Sequence, residues 1–146
     1  MKTTVLICAA FVACAPAGVS ASSLPSDPKS RIVAMLHEEA AAQDVPAALV
    51  VAIAKVESGL DPSARGAGTL GLMQIMPATA RSVGYSGTEA GLFDARTNAR
   101  YGVRYLKLAL DSCKGEVRCA ASRYKNGLRN SRHAGYEKKV ELAGGF

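Results

Sequence analysis

Glu57 is the residue whose type and position most clearly suggest chemistry. It lies at the end of an apolar segment, residues 46–57, in which only Lys55 and Glu57 are charged. A helix without a polar face is typical of a buried core position, so we expect a central helix that carries Glu57 near its C-terminus. Burial and the negative end of the helix dipole both favour a protonated carboxyl group. Such a group can act as a general acid near neutral pH.

The residues after Glu57 form a distinctive motif. Ser58 and a turn follow it, and beyond a glycine-rich loop the chain reads Gly-Leu-Met-Gln-Ile-Met-Pro at residues 71–77. This pattern resembles the soluble lytic transglycosylase catalytic domain, glycoside hydrolase family 23, whose fold is lysozyme-like. The resemblance extends from about Ile32 to Val140. Its other matching positions are Leu92–Asp94, Asn98, Gly102, Val103–Leu106, Tyr124 and Tyr136.

The hydrophobic pattern and the resemblance together predict the fold. We expect a mainly α protein, a lysozyme-like single helical domain over residues 22–146, with the central buried helix carrying the catalytic Glu. Ser30 is the expected cap of the first helix. The last helix is expected at about residues 132–142.

The resemblance implies that Glu57 is the single catalytic acid. It would protonate the oxygen that links N-acetylmuramic acid to N-acetylglucosamine in peptidoglycan. The same carboxylate would then accept the proton of the muramic-acid C6 hydroxyl, which attacks C1 and leaves a 1,6-anhydro end. This route needs no second carboxylate, whereas the usual glycoside hydrolases need one. Asp61 and Asp94 are the nearest other candidates, and we interpret them as turn and cap residues.

Five further residues match family positions at the substrate. Ser58 and Gln74 are expected to bond sugar groups, and Met73 is expected on the cleft wall. Tyr124 is expected to place its phenol against the catalytic carboxyl. Tyr136 matches the Tyr of the last helix and completes the expected substrate-binding set.

Lys125 is the main departure from the family pattern, because the family has Asn after its conserved Tyr. We expect its ammonium group to point outward toward anionic glycan, since a cation beside Glu57 would weaken the acid. Lys125 belongs to a basic segment, because no acidic residue lies between Glu116 and Glu137. The segment is either an electropositive rim that attracts peptidoglycan carboxylates or a solvated helix face.

The N-terminus is typical of an export signal. Lys2 is followed by a short apolar run, and residues 19–21, Val-Ser-Ala, suit signal peptidase. We therefore expect residues 1–21 to be a signal peptide and residues 22–146 to be periplasmic. The apolar run is shorter than the ~20 residues that span a membrane. The alternative is a lipoprotein anchored through Cys14.

Cys113 and Cys119 are the cysteines that remain after cleavage. An oxidising compartment favours a disulfide between them, and the alternative is a pair of reduced, buried thiols. Two cysteines offer too few ligands for a metal ion, and neither histidine is close in sequence. We expect no metal and no cofactor.

Composition limits the remaining function classes. Hydrophobic residues make up 49% of the 146 residues and the net charge is +6, which excludes a disordered chain. Aromatic residues are only 5%, with no Trp, which disfavours nucleic-acid binding by base stacking. We expect a monomer.

Three functions stay open at this point. The first is a lytic transglycosylase that resembles the small specialised ones, with components of a type IV or type III secretion apparatus as candidate partners. The second is a muramidase that hydrolyses the same bond. The third is a non-catalytic wall-binding assembly factor.

Overall fold

The computed structural model describes residues 27–129 and 135–146. Within these ranges the chain forms six α-helices and a short 3₁₀ helix, Glu89–Phe93, so the mainly α fold class is confirmed. The helices are α1 (Pro28–Ala42), α2 (Ala47–Ser58), α3 (Pro77–Ser82), α4 (Ala95–Ser112), α5 (Val117–Asn126) and α6 (Tyr136–Gly144). The expected signal peptide, Cys14 and the expected start of the last helix lie outside the described residues.

Helix α2 is the central helix, as its apolar sequence predicts. Residues 49–54 are all buried, and the helix packs against α1, α5 and α6. A helix with apolar side chains on every face is most stable where all of its faces are buried away from water. Gly59 ends the helix with a left-handed backbone (φ 63°), and its N–H donates to the Lys55 carbonyl at 3.0 Å. Glu57 therefore lies in the last turn of α2.

Aspartate side chains cap two of the helices, and one of these caps differs from the prediction. Asp27, not Ser30, caps α1, because its carboxylate accepts hydrogen bonds from the Ser30 N–H at 2.8 Å and the Ser30 hydroxyl at 2.9 Å. Asp94 caps α4, where its carboxylate accepts from the Thr97 N–H at 2.8 Å. The Asp94 carboxylate thus serves as the N-terminal cap of α4.

Asn98 fastens the glycine-rich loop to α4. Its side chain is fully buried. Its amide nitrogen donates to the carbonyls of Leu70 at 2.8 Å and Leu92 at 2.7 Å, and its oxygen accepts from the Met73 N–H at 2.8 Å. Gly71 lies against this amide with φ 73°, and a Cβ there would sit 2.4 Å from Asn98 Nδ2. Only glycine allows both the backbone angle and the close approach.

The loop and α3 pack on a small second core. Ile75, Ala80 and Leu92 form this cluster, apart from the main core around α2. Cys113 and Cys119 are bonded as a disulfide, with Cα atoms 5.8 Å apart, which joins the end of α4 to the start of α5. Among the described residues, no helix combines the length and the apolar character needed to cross a membrane.

Candidate active site

A cleft lies between the second core and the C-terminal end of α5. Its inner part has a volume of about 350 Å³ and includes Glu57 in its wall. Its outer part has a volume of about 510 Å³ and shares Thr79, Tyr105 and Gly127 with the inner part. The two parts therefore adjoin, and volumes of this order accommodate small molecules or sugar units.

Glu57 is the only acidic residue that lines either part of the cleft, as far as the described residues go. Its side chain is only 6% exposed. The other acidic candidates are committed elsewhere: Asp94 caps α4, and Oδ1 of Asp61 accepts from the Ser63 N–H at 2.8 Å and the Ser63 hydroxyl at 2.7 Å. A proton transfer to a bound ligand in this cleft therefore has one carboxyl group to use.

Tyr136 holds the Glu57 carboxylate. Its hydroxyl donates to Glu57 Oε1 at 2.7 Å from the first residue of α6. Burial, followed by the nearby charge of Glu57, raises the pKa of Tyr136 well above its ordinary value, so the phenol keeps its proton and stays a donor.

The expectation that Tyr124 places its phenol against Glu57 is wrong. The Tyr124 hydroxyl instead donates to the Met73 carbonyl at 2.8 Å, under the loop. Burial first, and the charge of Glu57 second, raise the pKa of Tyr124 well above its ordinary value. Tyr124 thus lies near enough to Glu57 to interact with it electrostatically, while the Tyr124 hydrogen bond supports the backbone of the cleft.

Lys125 also departs from its predicted orientation. Its Nζ lies 3.0 Å from Oε2 and 3.2 Å from Oε1 of Glu57, so it points into the cleft rather than outward. A nearly buried carboxylate is a strong attractor for a neighbouring ammonium group, because solvent screens the pair poorly there. The Lys125 side chain remains 43% exposed.

Met73 is not on the cleft wall, in contrast to the prediction. Its side chain is 0% exposed and packs against Gly102, where a Cβ would sit 2.6 Å from Met73 Sδ. The methionine that lines the cleft is Met76, which is 51% exposed. A signal for Met76 existed in the sequence, because it ends the loop before the helix that starts at Pro77, and loops usually lie at the surface.

Ser58 is bonded to the backbone rather than available to a sugar. Its hydroxyl donates to the Leu72 carbonyl at 2.7 Å and accepts from the Asp61 N–H at 3.2 Å. These bonds fasten the end of α2 to the loop. The predicted sugar contact of Ser58 would require it to give up this role.

Gln74 lines the cleft but is also largely committed. Its Nε2 donates to the carbonyls of Gly71 at 2.8 Å and Ala64 at 3.1 Å, and its Oε1 accepts from the Thr69 hydroxyl at 2.8 Å. An amide oxygen can accept two hydrogen bonds, so Oε1 retains one site for a ligand donor.

A family model described as "Transglycosylase SLT domain" matches residues 34–142. The chain belongs to this family. The SLT domain spans most of the described structure and includes every residue of the cleft discussed above.

Solved lytic transglycosylases share this SLT fold. The inactive mutant of the lytic transglycosylase Slt from Pseudomonas aeruginosa has a TM-score of 0.63 and 25% identity, and the match covers 81% of this chain and 22% of that one. The 70-kDa soluble lytic transglycosylase in complex with bulgecin A has a TM-score of 0.61 and 23% identity, and the match covers 80% of this chain and 20% of that one. SLT70 from Escherichia coli has a TM-score of 0.62 and 21% identity, and the match covers 80% of this chain and 20% of that one. The expected lysozyme-like helical fold is thereby confirmed, and this chain matches about a fifth of the length of those proteins.

Tyr105 is another cleft residue of the SLT domain that sequence analysis did not assign to the site. Tyr105 of α4 lines both parts of the cleft, and its ring centroid is 5.6 Å from that of Tyr124. An aromatic ring at the junction offers an apolar surface to a sugar face. Tyr105 was visible in the sequence only as part of the family match, because helical spacing alone cannot separate a core tyrosine from a cleft tyrosine.

The basic segment of the SLT domain divides into paired and cleft-lining members. Arg118 forms an ion pair with Glu141, and Arg123 donates to the Ser112 carbonyl at 2.9 Å. Arg129 lines the outer part of the cleft. Arg132 lies outside the described residues.

Proposed function

We propose that this SLT domain is a peptidoglycan lytic transglycosylase that cleaves the β-1,4 bond between N-acetylmuramic acid and N-acetylglucosamine. The observation that carries the proposal is the position of Glu57, a nearly buried carboxyl group that is the sole acid lining the described cleft. The solved relatives named above are lytic transglycosylases, and the inactive Pseudomonas aeruginosa mutant carries Gln in place of a Glu. That loss of activity suits a mechanism with an essential glutamate.

In the proposed mechanism Glu57 acts first as an acid. It transfers its proton to the glycosidic oxygen, the bond from that oxygen to muramic-acid C1 breaks, and positive charge develops at C1 and the ring oxygen. The C6 hydroxyl of the same sugar then attacks C1. Its proton passes to the Glu57 carboxylate, which restores the acid and leaves a 1,6-anhydro ring without consuming water.

Tyr136 is the positioning residue of this mechanism. Its hydroxyl holds Oε1 of Glu57 at 2.7 Å, so the oxygen that exchanges the proton is Oε2, which the Lys125 ammonium group contacts at 3.0 Å. A fixed carboxyl direction matters because proton transfer requires the two heavy atoms to lie within hydrogen-bond distance.

A muramidase is the second candidate function. The usual hydrolases place a second carboxylate across the scissile bond, as base or nucleophile. The described lining of both cleft parts offers none, which favours attack by the sugar's own hydroxyl. A non-catalytic wall-binding factor would need the same cleft without the acid, and the retention of Glu57 in it argues against that function.

Product analysis tests the proposal. The purified protein is incubated with peptidoglycan, and the soluble products are identified by mass spectrometry. We expect 1,6-anhydromuramic ends from the wild type and from Glu89→Gln, an exposed control, and no release from Glu57→Gln. Reducing ends would establish the muramidase, and undiminished release by Glu57→Gln would refute the role of Glu57.

We further propose that the domain acts in the periplasm after cleavage behind Ala21, and that it opens the wall locally for a type IV or type III secretion apparatus. The pattern of residues 1–21 and the resemblance to small specialised transglycosylases support this. A mature protein that begins at Ser22 in the periplasmic fraction is the expected result, whereas a lipid-modified Cys14 would indicate an anchored form. A deletion strain rescued by wild type but not by Glu57→Gln would link secretion to wall cleavage.

A further inference from the structure

The ion pair between Lys125 and Glu57 conflicts with a ready general acid. An ammonium group at 3.0 and 3.2 Å from the two carboxylate oxygens stabilises the ionised form of Glu57, and an ionised carboxylate has no proton to donate. Glu57 therefore has to lose this contact before it can serve as the acid. Substrate binding has to change the partner of Lys125.

We propose that Lys125 is a specificity-determining residue that requires a carboxylate on the substrate beside the scissile bond. This inference rests on the function proposed above. A substrate carboxylate takes over the ammonium group, and Glu57, left nearly buried without its counter-charge, takes up one proton from solvent. Lys125 keeps its own proton throughout, and the proton gained by Glu57 is the one later delivered to the glycosidic oxygen.

The exposure of the two partners fits such an exchange. Glu57 is 6% exposed and is fixed by the Tyr136 hydroxyl, whereas Lys125 is 43% exposed on a flexible side chain of four methylene groups. The ammonium group can therefore move away from Glu57 toward a ligand in the cleft while the carboxyl stays in place. An unpaired buried charge is costly, so departure of Lys125 and protonation of Glu57 are energetically coupled.

The charges around the cleft narrow the ligand chemistry. Within the described residues, Lys125 is the only cationic side chain in the inner part, and Arg129 follows in the outer part. A carboxylate near the scissile bond has two sources in peptidoglycan. One is the free lactyl carboxylate of peptide-free muramic acid, and the other is a carboxylate of the attached peptide.

Matched substrates separate charge from shape. The first pair is the peptide-free tetrasaccharide of alternating N-acetylglucosamine and N-acetylmuramic acid and its lactyl methyl ester. The second pair is peptide-bearing strands with free or amidated peptide carboxyls. Wild type should cleave the charged member of at least one pair with a kcat/KM at least about tenfold higher, a factor typical of removing one charge from a close pair. The pair that shows the preference identifies the source of the carboxylate.

Variants of Lys125 test whether this residue causes the preference for a substrate carboxylate. Lys125→Met should lose most of the preference and cleave the methyl ester faster than wild type, because its Glu57 needs no release. Lys125→Arg should retain the preference. Lys29→Met removes an equal charge from the exposed start of α1 and should behave as wild type. A wild type indifferent to both charges, or a preference that persists in Lys125→Met, overturns the inference.

A binding measurement tests the proton exchange without turnover. Calorimetry with the 1,6-anhydro disaccharide product, in buffers of different ionisation enthalpy, should show uptake of one proton on wild type and almost none on Lys125→Met. The disaccharide is used peptide-free if the lactyl pair shows the preference and with its peptide attached if the peptide pair does. Binding of that ligand without proton uptake, or no binding, contradicts the inference. The function itself fails in a different way, through the absence of anhydro ends from every substrate.

Discussion

The Tyr136 hydroxyl donates a hydrogen bond of 2.7 Å to Oε1 of Glu57, from the first turn of α6 to the last turn of α2. The two helices pack against each other, so the position of the candidate acid depends on a contact between distant parts of the chain. Tyr136 itself is buried, which shields this bond from water.

Replacing Tyr136 with Phe should reduce kcat while KM changes little. The substitution removes a hydrogen bond to a charged group, worth about 1.5–3 kcal/mol, which corresponds to about tenfold to a hundredfold in rate if the bond is used fully in the transition state. Steady-state kinetics on soluble glycan strands measures the effect. Tyr101→Phe, in a ring pair with Tyr85 away from Glu57, is the matched control. An unchanged kcat in Tyr136→Phe would remove the positioning role.

Alkaline pH should destabilise the fold through the buried phenols of Tyr124 and Tyr136. Burial raises the pKa of Tyr124 and Tyr136 in the folded protein, whereas unfolded phenols ionise near pH ~10. The folded state therefore binds these protons more tightly, so its stability is complete below that pH and falls as the pH rises above it. Denaturant unfolding between neutral and strongly alkaline pH measures the fall.

Phenylalanine variants assign that alkaline effect to its source. Tyr124→Phe should show a shallower loss of unfolding free energy with rising pH than wild type, because one buried phenol is gone. Tyr101→Phe should follow the wild-type slope. Parallel curves for wild type and Tyr124→Phe would mean that another group causes the loss.

Asn98→Ala should destabilise the loop that forms the cleft floor. The substitution leaves the carbonyls of Leu70 and Leu92 and the N–H of Met73 without their partner, and each buried unpaired group costs about 1–3 kcal/mol. We expect a loss of unfolding free energy of about 3 kcal/mol or more. Asn98→Asp retains the acceptor but not the two donors. Near-wild-type stability of both variants in chemical denaturation would contradict the assigned role.

Reduction of the bond between Cys113 and Cys119 should cost about 2 kcal/mol of unfolding free energy, as expected for a short closed loop. The fold should survive, because the Glu116 carboxylate still caps α5 through the N–H groups of Arg118 at 2.9 Å and Cys119 at 2.6 Å. Denaturant titrations with and without reductant measure the cost. The Cys113→Ser, Cys119→Ser double variant should match the reduced protein, and an identical midpoint with and without reductant would contradict the prediction.

The fold was largely predictable from local patterns. Residues 46–57 have no polar face, so the burial of residues 49–54 in α2 follows from the apolar pattern, and Gly59 ends the helix where a left-handed residue is needed. The cap of α1 was less predictable, because Asp27 and Ser30 are both good capping residues and lie three positions apart.

The directions of the site side chains were much less predictable. Lys125, Tyr124 and Met73 lie near the positions that the family motif implies, yet each side chain points elsewhere. These directions depend on which partner is nearest after α5 and α6 pack on α2. Sequence spacing contains no such information, and a family pattern with Asn at position 125 could not indicate the ion pair.

In the proposed mechanism, Glu57 accepts the proton of the sugar's own C6 hydroxyl, and no water enters the product. Cleavage of glycan strands in ¹⁸O-labelled water, followed by mass spectrometry of the muramic-acid ends, tests it most directly. We expect unlabelled 1,6-anhydro ends from wild type and no cleavage by Glu57→Gln. Incorporation of ¹⁸O at muramic-acid C1, with free reducing ends, would contradict it.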